Sequence, residues 1–274
     1  YLVSNGGVSF AMQDVLDYVN TSTLVASFDP DNDVVNRVRI ERKDFEKDMV
    51  FDKLPEETEK EFASTYVAYE LSSHNGVLAD DELDQDAIYG LYGISASDVF
   101  AVTPTDEQKK QTGLDDPYCN VTMVSNEETV TKLSIGSAVY TVDKNEETGE
   151  EVKTITGYYG MISGVDAIYI FSPGVLPWMT VTPESVLYKL FLTPYIYYLD
   201  AVLLYDSDRT EYEIKIIGDA SESSFTYNGT EIDSARFKTF YQYLLSAYAE
   251  QIYNEALTEE NKFIAGFTYN HRDE

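Results

Sequence analysis

Short alternating segments dominate the pattern of apolar and polar positions, and a few helical stripes interrupt them. Val34 to Arg42 and Asp48 to Phe51 read as strands, as do Tyr66 to Ser73 and Val99 to Val102. From Tyr118 to Phe171 the chain reads as a β-meander with strands at Val130–Ile135, Ala138–Val142, Val152–Tyr159 and Ala167–Phe171. Asn126-Glu127-Glu128 turns one pair, and Asp143 to Glu150 forms a longer charged hairpin tip. Later strands fall at Leu199–Tyr205, Glu211–Ile217, Ser224–Tyr227 and Phe263–Tyr269. Helical spacing predicts helices over Ser9–Tyr18, from Leu54-Pro55, over Asp80–Leu91 and over Pro183–Leu192. The longest helix is expected over Ser234–Ala249, where Phe237, Phe240, Tyr241, Leu244, Leu245 and Tyr248 form one apolar stripe. A short helix is also expected at Thr103-Pro104-Thr105-Asp106-Glu107, with a Thr cap and Pro just inside.

One order of elements occurs twice. Strand Val35–Ile40 precedes Tyr69-Glu70-Leu71, the turn Asn75-Gly76 and an acid-capped helix; strand Leu199–Leu204 precedes Ser224–Tyr227, the turn Asn228-Gly229 and the long helix. Asn-Gly best tolerates the positive φ angles of a tight hairpin turn. The repeat predicts that about Val34–Leu91 matches about Leu199–Ala249, with Phe263–Tyr269 the counterpart of Tyr118–Val124. The expected fold is therefore α+β, with two related units, each a mainly antiparallel sheet covered by helices on one face. The units are expected at residues 1–165 and 166–274, the second truncated at its C-terminal end.

Composition narrows the partners. Forty-nine acidic against 19 basic residues give a formal net charge of -30. Nucleic acid is a poor ligand for such a chain, because phosphate binding requires Lys and Arg, and an anionic membrane surface is equally poor. No run approaches the roughly 18 consecutive apolar residues of a membrane-spanning helix. The opening Tyr1-Leu2-Val3 lacks an initiator Met and reads as a cut or processed chain from which an anchor has been removed.

Candidate chemistry is sparse. The single Cys, Cys119, lies in an apolar alternation and reads as a small core residue. His74 precedes the Asn75-Gly76 turn and His271 stands in a polar tail, so neither is placed as the base of a nucleophilic triad. His271-Arg272-Asp273 lacks the phosphate loop a kinase site needs. Asp29-Pro30-Asp31-Asn32-Asp33 alternates oxygen ligands but lacks the Gly and terminal Glu of a calcium loop. No catalytic residue, metal site or cofactor is assigned. The 23 Tyr are the remaining signal: Tyr158-Tyr159, Trp178 and Tyr195-Ile196-Tyr197-Tyr198 offer flat rings with polar tips. Trp178, Tyr195, Tyr197 and Tyr198 are the candidate partner contacts.

Pro104 to Gln108, Thr112-Gly113-Leu114-Asp115-Asp116-Pro117 and the alternating strand after them resemble the bacterial domain-of-unknown-function family 4340. Leu133-Ser134-Ile135-Gly136, Gly157-Tyr158-Tyr159 and Ala167–Phe171 extend the resemblance over two offset copies. The resemblance implies an extracytoplasmic domain behind an N-terminal membrane anchor, in the cell envelope, with an ABC-type transporter subunit as partner. The expected function is that of a non-enzymatic accessory or binding domain. A glycan or cell-wall binding module using Tyr and Trp is the second reading and a hydrolase the third.

Overall fold

The structure, a computed structural model, describes residues 14–55, 67–126, 129–144, 151–189, 196–218, 222–246 and 265–271. It is mostly β, with 44% strand against 21% helical residues, and it holds two antiparallel sheets of nine and five strands. This corrects the expected α+β class with helices covering each sheet. Among the described residues only three α-helices occur, α1 (Asp81–Tyr89), α2 (Asp106–Gln111) and α3 (Ser234–Leu245).

Each missing helix has an identifiable cause or lies outside the described residues. At Pro183–Ser185 a 3-10 turn forms, closed by a reciprocal capping box between Thr182 and Ser185. The chain then extends instead of coiling: Val186, Leu187 and Tyr188 are all buried, Leu187 bridges Ala79, and Tyr188 N donates to Leu78 O at 2.9 Å. A short apolar run fits a buried extended segment as well as a helix. Only Val15–Tyr18 of the first expected helix is described, and it is a 3-10 turn. The expected continuation beyond Leu54-Pro55 lies outside the described residues. In α2 the cap is Thr105, which bonds Gln108 reciprocally, so Pro104 stands before the helix and not inside it.

The strands are β1 (Val35–Arg42), β2 (Met49–Lys53), β3 (Tyr69–Leu71), β4 (Val77–Leu78), β5 (Asp98–Val102), β6 (Cys119–Ser125), β7 (Thr129–Lys144), β8 (Glu151–Ile162) and β9 (Ala167–Phe171). They form the larger sheet in the order β4-β3-β2-β1-β6-β7-β8-β9-β5. The smaller sheet runs β13-β12-β11-β10-β14, from β10 (Leu199–Tyr205), β11 (Glu211–Ile217), β12 (Ser224–Tyr227), β13 (Thr230–Ile232) and β14 (Gly266–His271). The expected pair Val130–Ile135 and Ala138–Val142 is one strand, β7, whose register with β8 shifts between Ile135 and Ala138 and again at Val139/Tyr140.

The repeat is present in the topology. Order β4-β3-β2-β1-β6 recurs as β13-β12-β11-β10-β14. Asn75 (φ 62) and Gly76 (φ 67) turn the first copy, and Asn228 (φ 50) and Gly229 (φ 76) turn the second. The register of β1 on β6 shifts between Val35 and Arg37, and that of β10 on β14 shifts between Leu199 and Ala201, the corresponding place.

Two compact units divide the chain: Tyr1–Lys53 with Glu70–Gly76 and Glu82–Val186, and Leu54–Tyr69 with Val77–Asp81 and Leu187–Glu274. The first therefore continues past the expected boundary at residue 165, because β9 pairs with both β8 and β5. In the first unit β6 alternates strictly: Cys119, Val121, Met123 and Ser125 are buried and Asn120, Thr122 and Val124 are not. After the bulge in β1, Val38, Ile40 and Arg42 share the buried side, which places a guanidinium in the core register. In the second unit Leu199, Val202, Ile216 and Phe225 pack against Phe237 and Tyr241 of α3. The Phe225 and Phe237 rings stand 4.4 Å apart.

Candidate functional site

A cleft of about 530 Å³ lies in the first unit, at the base of the β7–β8 hairpin. Lys43, Asp116 and Tyr118 line one wall, Tyr140, Ile155 and Tyr158 another, with Met179, Gly113 and residues 136–138 completing it.

Each side chain is placed by local chemistry. Lys43 N donates to Tyr118 O at 3.0 Å, and Lys43 Nζ donates to Asp116 O at 2.9 Å and meets Asp116 Oδ2 at 2.5 Å. Ser137 N donates to Thr112 O at 2.8 Å, which docks the loop after α2 on β7. That approach needs glycine: a Cβ on Gly136 would stand 2.2 Å from Thr112 O.

Arg42, next to Lys43 in the chain, is 7% exposed and bonded through all three of its guanidinium nitrogens. Its Nε and Nη2 bind the Asp44 carboxylate at 2.6 and 3.1 Å, and Nη1 donates to Trp178 O at 2.7 Å and Val181 O at 2.9 Å. The guanidinium also covers the Phe45 ring at 4.0 Å. These bonds fix the turn Pro177–Met179 and so set the position of Met179. Hydrogen bonding from Arg42 holds the Asp44 carboxyl below the usual carboxylate range. Burial, with a hydrogen bond to Asp44, raises the Tyr118 phenol.

Beyond the cleft the hairpin continues as a two-stranded arm. β6 pairs with β7 only at Thr129–Ile135, and β9 pairs with β8 only at Tyr158–Gly160. β7 and β8 nevertheless stay paired out to Lys144↔Glu151. Ala138, Tyr140 and Val142 alternate onto one face with their cross-strand neighbours Tyr158 and Ile155. Tyr140 is 54% exposed, Val142 53% and Ile155 41%. Among the described residues no third strand pairs with this arm, and its apolar stripe stands exposed.

The residues singled out from sequence fall elsewhere. Trp178 is 0% exposed, and its Nε1 donates to Ala87 O at 2.8 Å. Its place is therefore in the core and not on a contact surface, because the buried Nε1 bond to Ala87 O holds the indole inside. Tyr198 is exposed in the turn Ile196–Tyr198. Tyr197 belongs to that turn, with a side chain outside the described part, and Tyr195 lies outside the described residues. Tyr158 lines the cleft, while Tyr159 packs on Phe100 with centroids 5.1 Å apart. Sequence reasoning missed Lys43, Tyr118, Tyr140 and Ile155. The available signal was that apolar residues continue the alternation of β7 and β8 toward the charged tip, farther than a core requires.

Other reactive groups serve the fold. Cys119 is fully buried and its thiol is pushed up to about 12 by burial. His74 is buried; burial first and Lys47 second lower its pKa. Ser73 Oγ lies 2.8 Å from His74 Nδ1 and accepts from Val50 N at 2.9 Å, tying the turn Ser72–His74 to β2. Asp29 accepts from Asn32 Nδ2 at 2.7 Å and from Asp31 N at 3.1 Å, closing its own turn. His271 ends β14, and its side chain is outside the described part. A smaller recess lined by Arg37, Arg39, Lys47 and Ser73 is matched in charge, since Asp52 and Asp48 pair with the two arginines at 2.5 and 2.6 Å. Among the described residues no group of three or more His, Cys, Asp or Glu side chains is placed to hold a metal, and no helix is long and apolar enough to cross a membrane. No protein-family model, curated protein or solved structure matches this chain.

Proposed function

We propose that this chain is a non-enzymatic binding domain of a bacterial envelope protein that grips an extended segment of another protein in the cleft at the base of the β7–β8 arm. The observation behind the reading is the stripe of half-buried Tyr158 and exposed Tyr140, Ile155 and Val142, which leads from a pre-formed cleft along an arm. Tyrosine supplies large rigid contact area with a polar tip, the chemistry that dominates protein interfaces. A net charge of -30 favours a neutral or basic segment over an acidic one. The resemblance to domain-of-unknown-function family 4340 supports an extracytoplasmic, membrane-anchored setting with an ABC-type transporter subunit as the partner.

The test is a photo-crosslinking residue at Tyr140 in the native envelope, followed by affinity measurement with the purified crosslinked protein. Tyr140→Ala and Ile155→Ser should weaken that complex at least tenfold while the melting temperature stays unchanged. Crosslinks no more frequent than those from exposed Lys110 would sink the reading. The second reading, a glycan ligand, draws on the tyrosine rings beside the Lys43–Asp116 pair. A glycan-array signal that Tyr140→Ala abolishes without unfolding would prefer it.

A further inference from the structure

The chain carries two Asn-Gly pairs, one in each copy of the five-strand motif, and the structure surrounds them differently. In an Asn-Gly pair the glycine amide attacks the preceding side chain most readily, because no Cβ shields its nitrogen. Asn75 and Asn228 both hold positive φ, 62° and 50°, so the turn conformation itself does not separate them. The difference lies in what holds the amide that follows.

Gly76 N donates to Leu71 O at 3.1 Å, and a carboxylate oxygen of Glu70 stands 3.0 Å from where a Cβ on Gly76 would lie. That turn is also anchored, since His74 is buried and Ser73 Oγ accepts from Val50 N at 2.9 Å. In the second copy Asn228 and Gly229 are both exposed, and a Cβ placed on Gly229 would meet nothing within 4 Å. Among the described residues the Gly229 N–H has no hydrogen-bond partner. The turn closes on Tyr227↔Thr230, and among the described residues β13 pairs only with β12. Short hairpins of this kind open at low free energy.

We propose that Asn228 is a modification site that loses its side-chain amide spontaneously, while Asn75 of the first copy is protected. The Gly229 nitrogen gives up its proton to solvent and bonds to Asn228 Cγ; the side-chain nitrogen leaves as ammonia, which closes a five-membered succinimide. Water then opens one of the two ring carbonyls. One opening gives aspartate at this position, and the other gives isoaspartate, with the main chain running through the former side-chain carbon. Either product adds one negative charge. Isoaspartate also inserts an extra main-chain carbon into a turn only two residues long, which breaks the pairing from Phe225↔Ile232 to Tyr227↔Thr230. The site belongs to the second unit and does not depend on the cleft of the first.

The full chain is held at mildly alkaline pH, folded and in urea, and the two Asn-Gly sites are followed by mass spectrometry in their separate tryptic peptides. In the folded chain Asn228 should convert at least about fivefold faster than Asn75, the fold-change that one net hydrogen bond on the attacking amide represents. In urea the two rates should approach each other. Ser73→Ala, which frees the first turn from β2, should speed Asn75 and leave Asn228 unchanged. The purified isoaspartate product should lose hydrogen-exchange protection at Thr230–Ile232 while β10 and β11 keep theirs. Equal rates in the folded chain overturn the proposal. A rate ratio that persists unchanged in urea also overturns it, because the neighbouring sequence and not the structure would then set the difference. So does a folded chain that leaves Asn228 intact over the time in which urea converts it fully.

Discussion

The two five-strand motifs share strand order, Asn-Gly turn and bulge position, yet they are closed in different ways. The first is closed by long-range polar chemistry. Arg42, in the inward register of β1, reaches Trp178 O and Val181 O and orders a turn more than a hundred residues away in sequence. In the second motif the matching position after Tyr205 is Asp206, whose carboxylate accepts from Asp208 N, Thr210 N and the Tyr212 hydroxyl within its own hairpin. Burial there comes from one amphipathic helix, with Phe237 and Tyr241 over Phe225. The comparison teaches that a common strand framework fixes register while leaving open what seals it. One register position, a buried cation in the first copy and a solvent-facing anion in the second, accompanies the difference between a strand end tied to a distant segment and one tied to its own turn.

The largest effect that can break this comparison is expected at Trp178. Trp178→Ala removes a fully buried ring and orphans Ala87 O, and should cost about 4 kcal/mol in denaturant unfolding. A loss below about 1 kcal/mol would show that the first motif is not sealed through this residue. Arg42→Met should follow at about 3 kcal/mol, because it leaves two buried-side carbonyls and Asp44 without their donor. Asp206→Ala should lose much less, its bonds being local and solvent-facing.

Acid titration sharpens the same contrast. Arg42 depresses the Asp44 pKa, so the stabilisation is present above the unfolded value of about 3.9 and is lost as pH falls through the lower folded value. Arg42→Met should therefore flatten the fall in stability below about pH 4, measured by urea midpoints across that range.

Gly76→Ala and Gly229→Ala should each cost about 1 kcal/mol, since both residues hold positive φ directly before the last strand of their hairpins. Losses differing by more than about 1 kcal/mol would show that the extra Ser72–His74 turn of the first hairpin changes the demand on its glycine.

The smallest effect is expected at Tyr269, whose hydroxyl is buried without a hydrogen-bond partner among the described residues. Tyr269→Phe should be neutral or stabilise by up to about 1 kcal/mol. Burial pushes the Tyr269 phenol up to about 12. A raised folded value makes its contribution complete below the unfolded value of about 10 and lost as pH rises toward the folded one. The Phe variant should thus soften the alkaline loss of stability between those values, read by circular dichroism.

Legibility in the sequence followed the range of the interactions. Strands with period-two alternation, such as Cys119–Ser125, and both Asn-Gly turns are local features, and the structure places them where the pattern did. Helices expected from short apolar runs failed where a distant partner offered backbone pairing, as Leu187 does with Ala79. The cleft was largely hidden for the same reason. Lys43, Asp116, Tyr140 and Met179 lie far apart along the chain, and only Tyr158 among its rings stood out beforehand. Trp178 misled because composition reports an aromatic ring without reporting which side of a sheet it faces.

The sequence by itself determined the repeat, the strand alternation, the acidic surface and the scarcity of reactive groups, because each is written in neighbouring residues or in composition. Only the tertiary structure decided that the class is mainly β, that Arg42 and Trp178 are interior, that an apolar arm extends past its flanking strands, and that β14 ends a sheet where β6 does not. Those outcomes depend on which strand lies beside which. Strand pairing joins residues that are distant in sequence, and a period-two pattern specifies which face is apolar without naming the neighbour that will cover it.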